Sequence, residues 1–520
     1  MSVDVCIVGA GVAGALVGYR LAAEGHSVLI LDSGPRLSYP DMDRYERMLR
    51  GGNPWPWEQP DRDLYEDQAN PSINLNHERI KAVGGTTLHW NANAQRLQPG
   101  DFKMKSGFGV SEDWPMSYDD IEPWYVEAER EMGVSGGDAP GHPPRSAPFP
   151  LPAFEMSYAE RELVVPAFEA MDLPIGANTS AINSNPHDNR PGCAVFSTCM
   201  PMCPINARYT ALHHINKAEE TGRVEVRANC HVRRIRLEGK RKVRVVQYVD
   251  EEGRSQEAHA RHFVLAGGGV EIPRLLLLSA GGEAGDDGLA NSSGLVGRNY
   301  TSHPRIILTG TLPENFGPHR NGYSTSNCWA LYQHDRLPEI GNVMLSPAPN
   351  ASPDPADIAM ASDAWGTDLL EAIKRKYGRD LDIHVKGDML PKPENRVRLS
   401  TTTRDVYGDP VPVIEMRLSD FDRRALDHGA ERAKQVFEHL RATDISGSGH
   451  GIVRNHLMGT TSMGDSPQSS VCDQWGRCHD LDNLYIVSSS LFPSPGCSSP
   501  TLTIGALALR TADYLTRQVL

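Results

Sequence analysis

The chain has 520 residues, 39% apolar and 23% charged, with a formal net charge of −14. A length of this order favours two or more domains. The acidic balance argues against nucleic-acid or anionic-membrane partners, whose binding draws on clustered Lys and Arg. No apolar run reaches the length of a membrane span. Nine irregularly spaced cysteines do not read as a secreted disulfide framework. The expected location is cytoplasmic.

The apolar run Val3–Val8 fits a buried parallel strand, and glycines follow at Gly9, Gly11 and Gly14. A helix-period stretch with Leu16, Leu21 and Ala22 comes next, then a second strand over Ser27–Leu31. Asp32 closes it, 18 residues after Gly14. This strand–helix–strand setting gives each glycine a role. Gly9 makes the tight turn, Gly11 admits a pyrophosphate, Gly14 lets helix and strand approach, and Asp32 can accept hydrogen bonds from ribose hydroxyls. The uncharged stretch Val5–Tyr19 mimics a signal-peptide core, but the glycine pattern accounts for it better. The motif itself does not separate FAD from NAD. Flavin is favoured because this is the one such fingerprint and the chemistry-bearing segments lie far downstream.

Residues 34–78, rich in Pro, Asp, Asn and Trp, read as long loops or a lid. "KAVGGTTLHWNANAQRL" is a second glycine turn, and "SYDDIEPWYVEAEREMGVSG" an acidic amphipathic helix with Ser117 as its N-cap. Strand-like alternation occupies "RVEVRANCHVRRIRLEGKRKVRVVQYVDEEG". "HFVLAGGGVEIPRLLLLS" reads as strand, turn and helix, with Pro273 in the helix's opening turn. A more polar, looser region is expected over 305–444. Strand ("NLYIVSSSLF") and helix ("TLTIGALALRTADYLTRQ") return at the end, so nucleotide-type segments flank an inserted region.

"NHLMGTTSMGD", residues 455–465, is poor helix and poor strand, yet holds His456. Two readings stand for it: a loop histidine bonded to backbone, or a titratable ring placed for proton transfer.

The motifs "VGAGVAG", "GGTTLHWN", "DWPMSYDDIEPWY", "AGGGVEIPRLLLLS", "LVGRNYTSHP", "NRVRLSTTTRDVYGDPVPVIEMRLSD", "HLMGTTSMG" and "NLYIVSSSLFPSPGCSSPTLTIGALALRTADYL" together resemble the glucose–methanol–choline (GMC) oxidoreductases, in that family's order and over nearly the whole chain. The resemblance implies a Rossmann-type FAD-binding domain (1–36, 77–110, 200–304 and 455–520). It is joined to a substrate domain with a large antiparallel sheet (111–199 and 305–454), with 37–76 as lid. It also implies an enzyme that oxidises CH–OH groups by passing hydride to the flavin, and the "HW" and "PTLT" segments resemble the sugar-oxidising branch. By this resemblance His456 is the active-site base, with the threonines of its loop orienting the ring. Ser499 takes the place of a second polar residue, His or Asn; as an N-cap it serves the last helix alone or catalysis as well. Gly84, Gly85, Thr87, His89, Trp90, Asn91, Val232, Ser488, Ser489, Pro500 and Thr501 are implied at the cofactor, Ser488 where the family usually has Asp. His89 matches a histidine that some relatives bond to the flavin, and a bonded and an unbonded ring are both open.

Cys193, Cys199 and Cys203 resemble part of an iron–sulfur segment of membrane-linked sugar dehydrogenases, but Ala194 replaces one cysteine of its adjacent pair. Buried structural thiols are preferred to a shifted cluster, and no metal is expected. A disulfide between Cys472 and Cys478 is unsupported in a cytoplasmic protein. The expected partners are a small alcohol or sugar and O2 or a quinone-like acceptor. The alternatives are a dehydrogenase subunit passing electrons to a cytochrome or iron–sulfur partner, and a flavin-binding relative without redox turnover.

Overall fold

The computed structural model describes residues 3–520 apart from 50–60, 69–74, 197–198, 201, 283–286, 317–322, 349–353 and 454. A five-stranded parallel sheet runs in the order Leu484–Ile486, Ala260–Leu265, Val3–Val8, Val28–Leu31, Val224–Arg227. Strands from both ends of the sequence therefore share one sheet, with Ala260–Leu265 between them. Val5, Ile7, Ile30, Leu265 and Ile486 are fully buried, as expected of parallel strands covered on both faces. The helix Val12–Ala23 packs against Thr501–Tyr514, which packs in turn on Tyr118–Met132. From the central strand Val3–Val8 the chain pairs one way with Val28–Leu31 and the other way with Ala260–Leu265. The crevice beyond the carboxyl ends of these strands is the switch point where such sheets bind ligands.

Ser117 caps its helix as the sequence suggests: its hydroxyl accepts from the Asp120 N–H, and the Asp120 carboxylate accepts from the Ser117 N–H at 2.8 Å. The alternating stretch after Val224 continues into an antiparallel meander, His231–Glu238, Lys242–Val249 and Ser255–Ala258.

The segment 305–444 is not loose. It supplies most of a seven-stranded antiparallel sheet that includes Pro304–Thr311, Val343–Ala348 and Asp380–Gly387. One face of this sheet (Ile306, Leu308, Val343, Ile383, Val385) packs on Ala425, Leu426, Val436 and Phe437 of the helix Asp420–His439. A polar second face, required by the alternation of side chains along each strand, made the segment read as irregular. Arg305 and Lys386, paired in register, lie on that second face.

Pro273 sits inside the helix Gly268–Leu278 rather than in its opening turn. Proline removes the N–H that would reach the carbonyl four residues back. That carbonyl, of Gly269, accepts instead from the Thr460 hydroxyl at 2.8 Å. Of the lid segment 37–76, residues 50–60 and 69–74 lie outside the described residues. The remainder contains the helix Met42–Leu49 and a two-residue strand, Glu66–Asp67, paired with Pro410–Glu415. Among the described residues no helix is long and apolar enough to cross a membrane.

Candidate active site

A cavity of about 260 Å³ opens at the switch-point crevice. Its wall includes Gly9, Gly11, Asp32, Gly85, Thr87, Trp90, Val232, Ser488, Ser489, Pro500 and Thr501, which the sequence assigned to the cofactor. Gly9 has φ +107° and its added Cβ would stand 2.7 Å from the Ala266 carbonyl oxygen, so the turn admits only glycine. A Cβ on Gly14 would lie 2.0 Å from the Gly9 oxygen; this residue serves helix–strand packing and is not part of the wall. A Cβ on Gly11 would meet nothing within 4 Å and would project into the space the cavity offers.

Three helices open on this wall: Val12–Ala23 at Gly11, Gly268–Leu278 at Gly267, and Thr501–Tyr514 at Pro500, none with a side-chain cap. Their N–H groups and positive ends converge on the cavity, a donor set that fits a pyrophosphate and an electron-rich ring. The Asp32 carboxylate accepts from the N–H groups of Ala10 (2.8 Å) and Gly34 (2.9 Å). Each oxygen keeps a further lone pair for a ribose hydroxyl. Lys81, Glu271, Arg274 and His231 also line the cavity. Lys81 and Glu271 form an ion pair at 3.1 Å, and Arg274 pairs with Asp405 at 2.6 Å. None of these charges was singled out from the sequence, because their partners come from distant segments.

The loop before Trp90 is fixed from behind by the buried Arg208, which donates to the carbonyls of Leu88 (2.6 Å) and Trp90 (2.7 Å). Trp90 itself donates to the Tyr209 carbonyl at 2.8 Å. His89 and Gly84 do not line the cavity, and Asn91 is exposed. The His89 ring is 2% exposed, and burial together with Arg208 pushes its pKa down to about 3. Cys199 and Cys203 are buried and Cys193 half-buried. Among the described residues no three His, Cys, Asp or Glu side chains are grouped to hold a metal ion. Cys472 and Cys478 are free thiols with their sulfurs 3.8 Å apart.

His456 stands between two wall residues, Asn455 and Leu457. Thr301 and Met458 exchange both backbone hydrogen bonds at 3.0 Å. Two residues on, the His303 carbonyl accepts from the Val453 N–H at 2.8 Å, so His456 lies in the loop between these two pairings. His303 Nδ1 and His456 Nδ1 are 2.6 Å apart, with the rings near perpendicular at 87°. His303 Nε2 lies 2.8 Å from the Gly496 carbonyl oxygen. A carbonyl only accepts, so Nε2 of His303 carries that ring's hydrogen. Burial and neighbouring positive charge hold both rings well below 6.5, so both are neutral at pH 7. A neutral imidazole has one N–H. His303 Nδ1 is therefore the acceptor, His456 Nδ1 the donor, and His456 Nε2 keeps its lone pair, with no partner among the described residues. The network assigns the tautomer.

The loop threonines do not orient this ring. Thr460 donates to Gly269, and Thr461 donates to the Ser490 hydroxyl at 2.7 Å. His303 does it instead. "LVGRNYTSHP" contains that residue, but nothing local marks a pairing made across 153 positions. Ser499 is not a helix cap either: the helix begins at Thr501, and the N-cap is Pro500. The Ser499 N–H donates to the Gln95 side chain at 3.2 Å, and its hydroxyl lies 3.4 Å from Lys386 Nζ.

Residues 78–305 and 391–508 match two family profiles described as GMC oxidoreductase, and residues 4–134 match one described as FAD dependent oxidoreductase. The chain is 33% identical to the fructose dehydrogenase large subunit of Gluconobacter japonicus, over 99% of this chain and 98% of that protein. It is 30% identical to the 6'''-hydroxyparomomycin C oxidase of Streptomyces lividus, over 98% and 90%. The solved structure of pyridoxine 4-oxidase from Mesorbium loti superposes with a TM-score of 0.68 over 98% of this chain and 99% of that one; at 20% identity it shows the shared fold alone. With the sheet, the cavity and these matches in agreement, the chain belongs to the GMC oxidoreductases, FAD-dependent enzymes that oxidise alcohols.

Proposed function

We propose that the enzyme oxidises a secondary hydroxyl of a sugar or glycoside, with His456 Nε2 as the base. The observation that carries this reading is the 2.6 Å contact between His303 and His456, which fixes the tautomer that leaves Nε2 unprotonated. Bound FAD supplies the acceptor for the carbinol hydride. The hydroxyl proton passes to Nε2, and His456 becomes an imidazolium whose Nδ1–H still points at the His303 lone pair. His303 is thus a positioning residue: it holds the ring and stabilises the charge that forms on it, the part a carboxylate plays in the Ser-His-Asp triad. A base that is neutral at pH 7 needs no prior deprotonation.

The sugar assignment is supported by relatives named for fructose and paromomycin-type substrates. For the acceptor, the relative named as the large subunit of a dehydrogenase favours electron transfer to a partner or a quinone-like carrier over O2. Anaerobic mixing of the holoenzyme with D-fructose, D-glucose, a methyl glycoside and 1,2-propanediol tests the reading. Bleaching of the yellow absorbance by a sugar or glycoside is expected, with slow re-oxidation when air is admitted. Bleaching by the simple diol alone would reject the sugar assignment, and bleaching by none would favour a non-redox relative.

A further inference from the structure

Lys386 is a part-buried cation with no counter-ion among the described residues. It lies on the strand Asp380–Gly387, on the face turned away from the helix Asp420–His439. Among the described residues no carboxylate stands within ion-pair distance of its Nζ. Its hydrogen-bond neighbour is the Ser499 hydroxyl at a long 3.4 Å. An unpaired buried charge is costly to a fold and is retained where it meets a ligand. Lys386 is also close enough to His456 and His303 for its charge to lower the pKa of both. Lys386 Nζ meets the segment 496–499 at Ser499, and the His303–His456 pair meets the same segment at the Gly496 carbonyl, 2.8 Å from His303 Nε2.

We infer that Lys386 holds the reacting oxygen: its ammonium donates a hydrogen bond to the carbinol oxygen while His456 Nε2 takes the proton. It would supply the second polar contact for which the hydroxyl of Ser499 is short. The inference rests on the proposed role of His456. The O–H electron pair stays on oxygen and the proton goes to Nε2. The C–H pair leaves as hydride to the oxidant supplied by bound FAD, and C=O forms. Lys386 keeps its proton throughout and lowers the energy of negative charge developing on oxygen.

The ionisable groups around Lys386 are Arg305 across one strand pair, His384 and Asp388 along its own segment, and His303, His456 and Cys497 from the loops. Met344 faces it across the other strand pair. Burial lowers the Lys386 pKa to about 8, so the charge is present at pH 7 and lost above that value.

The test uses the holoenzyme with sodium acetate as an anionic probe of the oxygen site, titrated calorimetrically. Wild type is expected to bind acetate at pH 7 and at least tenfold more weakly at pH 9.5. Lys386→Met should weaken binding at pH 7 at least tenfold, Lys386→Arg should restore most of it, and His456→Ala should leave it intact. Equal affinity in wild type and Lys386→Met, or no binding by either, overturns the proposal. Anaerobic flavin reduction by D-fructose, followed in parallel, separates the two ideas: an undiminished rate in His456→Ala rejects the base, while the acetate titration still decides Lys386.

Discussion

Thr460 donates its hydroxyl to the Gly269 carbonyl over 2.8 Å, satisfying the group that Pro273 leaves without a helical donor. The bond ties the loop bearing His456 to a helix that opens on the cofactor cavity. Thr460→Val keeps the shape and removes the donor, leaving a buried carbonyl unsatisfied at a cost of about 1–3 kcal/mol. Urea unfolding of the variant should show that loss, and flavin reduction should slow as the loop loosens.

His303 should matter to rate without touching FAD. His303→Leu deletes the acceptor for His456 Nδ1–H, and a hydrogen bond to a group that becomes charged contributes about 1.5–3 kcal/mol, or about 10–150-fold in rate. His303→Asn offers a side-chain oxygen and should recover part of it. Rapid-mixing reduction traces, with flavin content as control, check this. Equal rates in wild type and His303→Leu would remove the positioning role.

Two glycines make opposite predictions. Gly14→Ala drives a Cβ to within 2.0 Å of the Gly9 oxygen, so backbone must move, and a loss of about 1–3 kcal/mol in stability is expected even without FAD. Gly11→Ala meets no protein atom within 4 Å, so the apoprotein should melt as wild type while FAD affinity falls. Thermal melting of apo- and holoprotein separates the two effects.

Lys386 gives a stability prediction of unusual sign. Its pKa is about 8 in the fold against 10.5 for the free side chain. Between those values the unfolded chain binds more protons, so stability rises with pH there and the full penalty applies below about pH 8. At 1.36 kcal/mol per pKa unit the penalty is about 3 kcal/mol. Lys386→Met should therefore melt higher than wild type at pH 7 while reducing flavin more slowly. Removing this cation also raises the His456 pKa towards 6.5, so the acid limb of the reduction rate should move to higher pH.

The sequence was most readable where function is local. Gly9, Gly11 and Asp32 meet at turns and a helix end built within about thirty residues, and the spacing alone marks them as candidates. His456 stood out as a candidate through its loop and through resemblance. The groups that the structure sets beside it did not. His303 reaches it by a register between two segments far apart in the chain, and Lys386 is one polar residue in an alternating strand, like many that only face water. Pro273 misled because proline fits a helix's opening turn best; here it stands inside the helix, and the Thr460 hydroxyl takes over the vacated Gly269 carbonyl.

The most direct test of the central claim is single-turnover flavin reduction by His456→Ala under anaerobic conditions, with the sugar that best bleaches the wild type. A positioned base contributes about 10²–10⁴-fold. The variant should therefore retain its full complement of FAD and reduce it more slowly by that factor. Reduction at the wild-type rate would show that the proton leaves by another route.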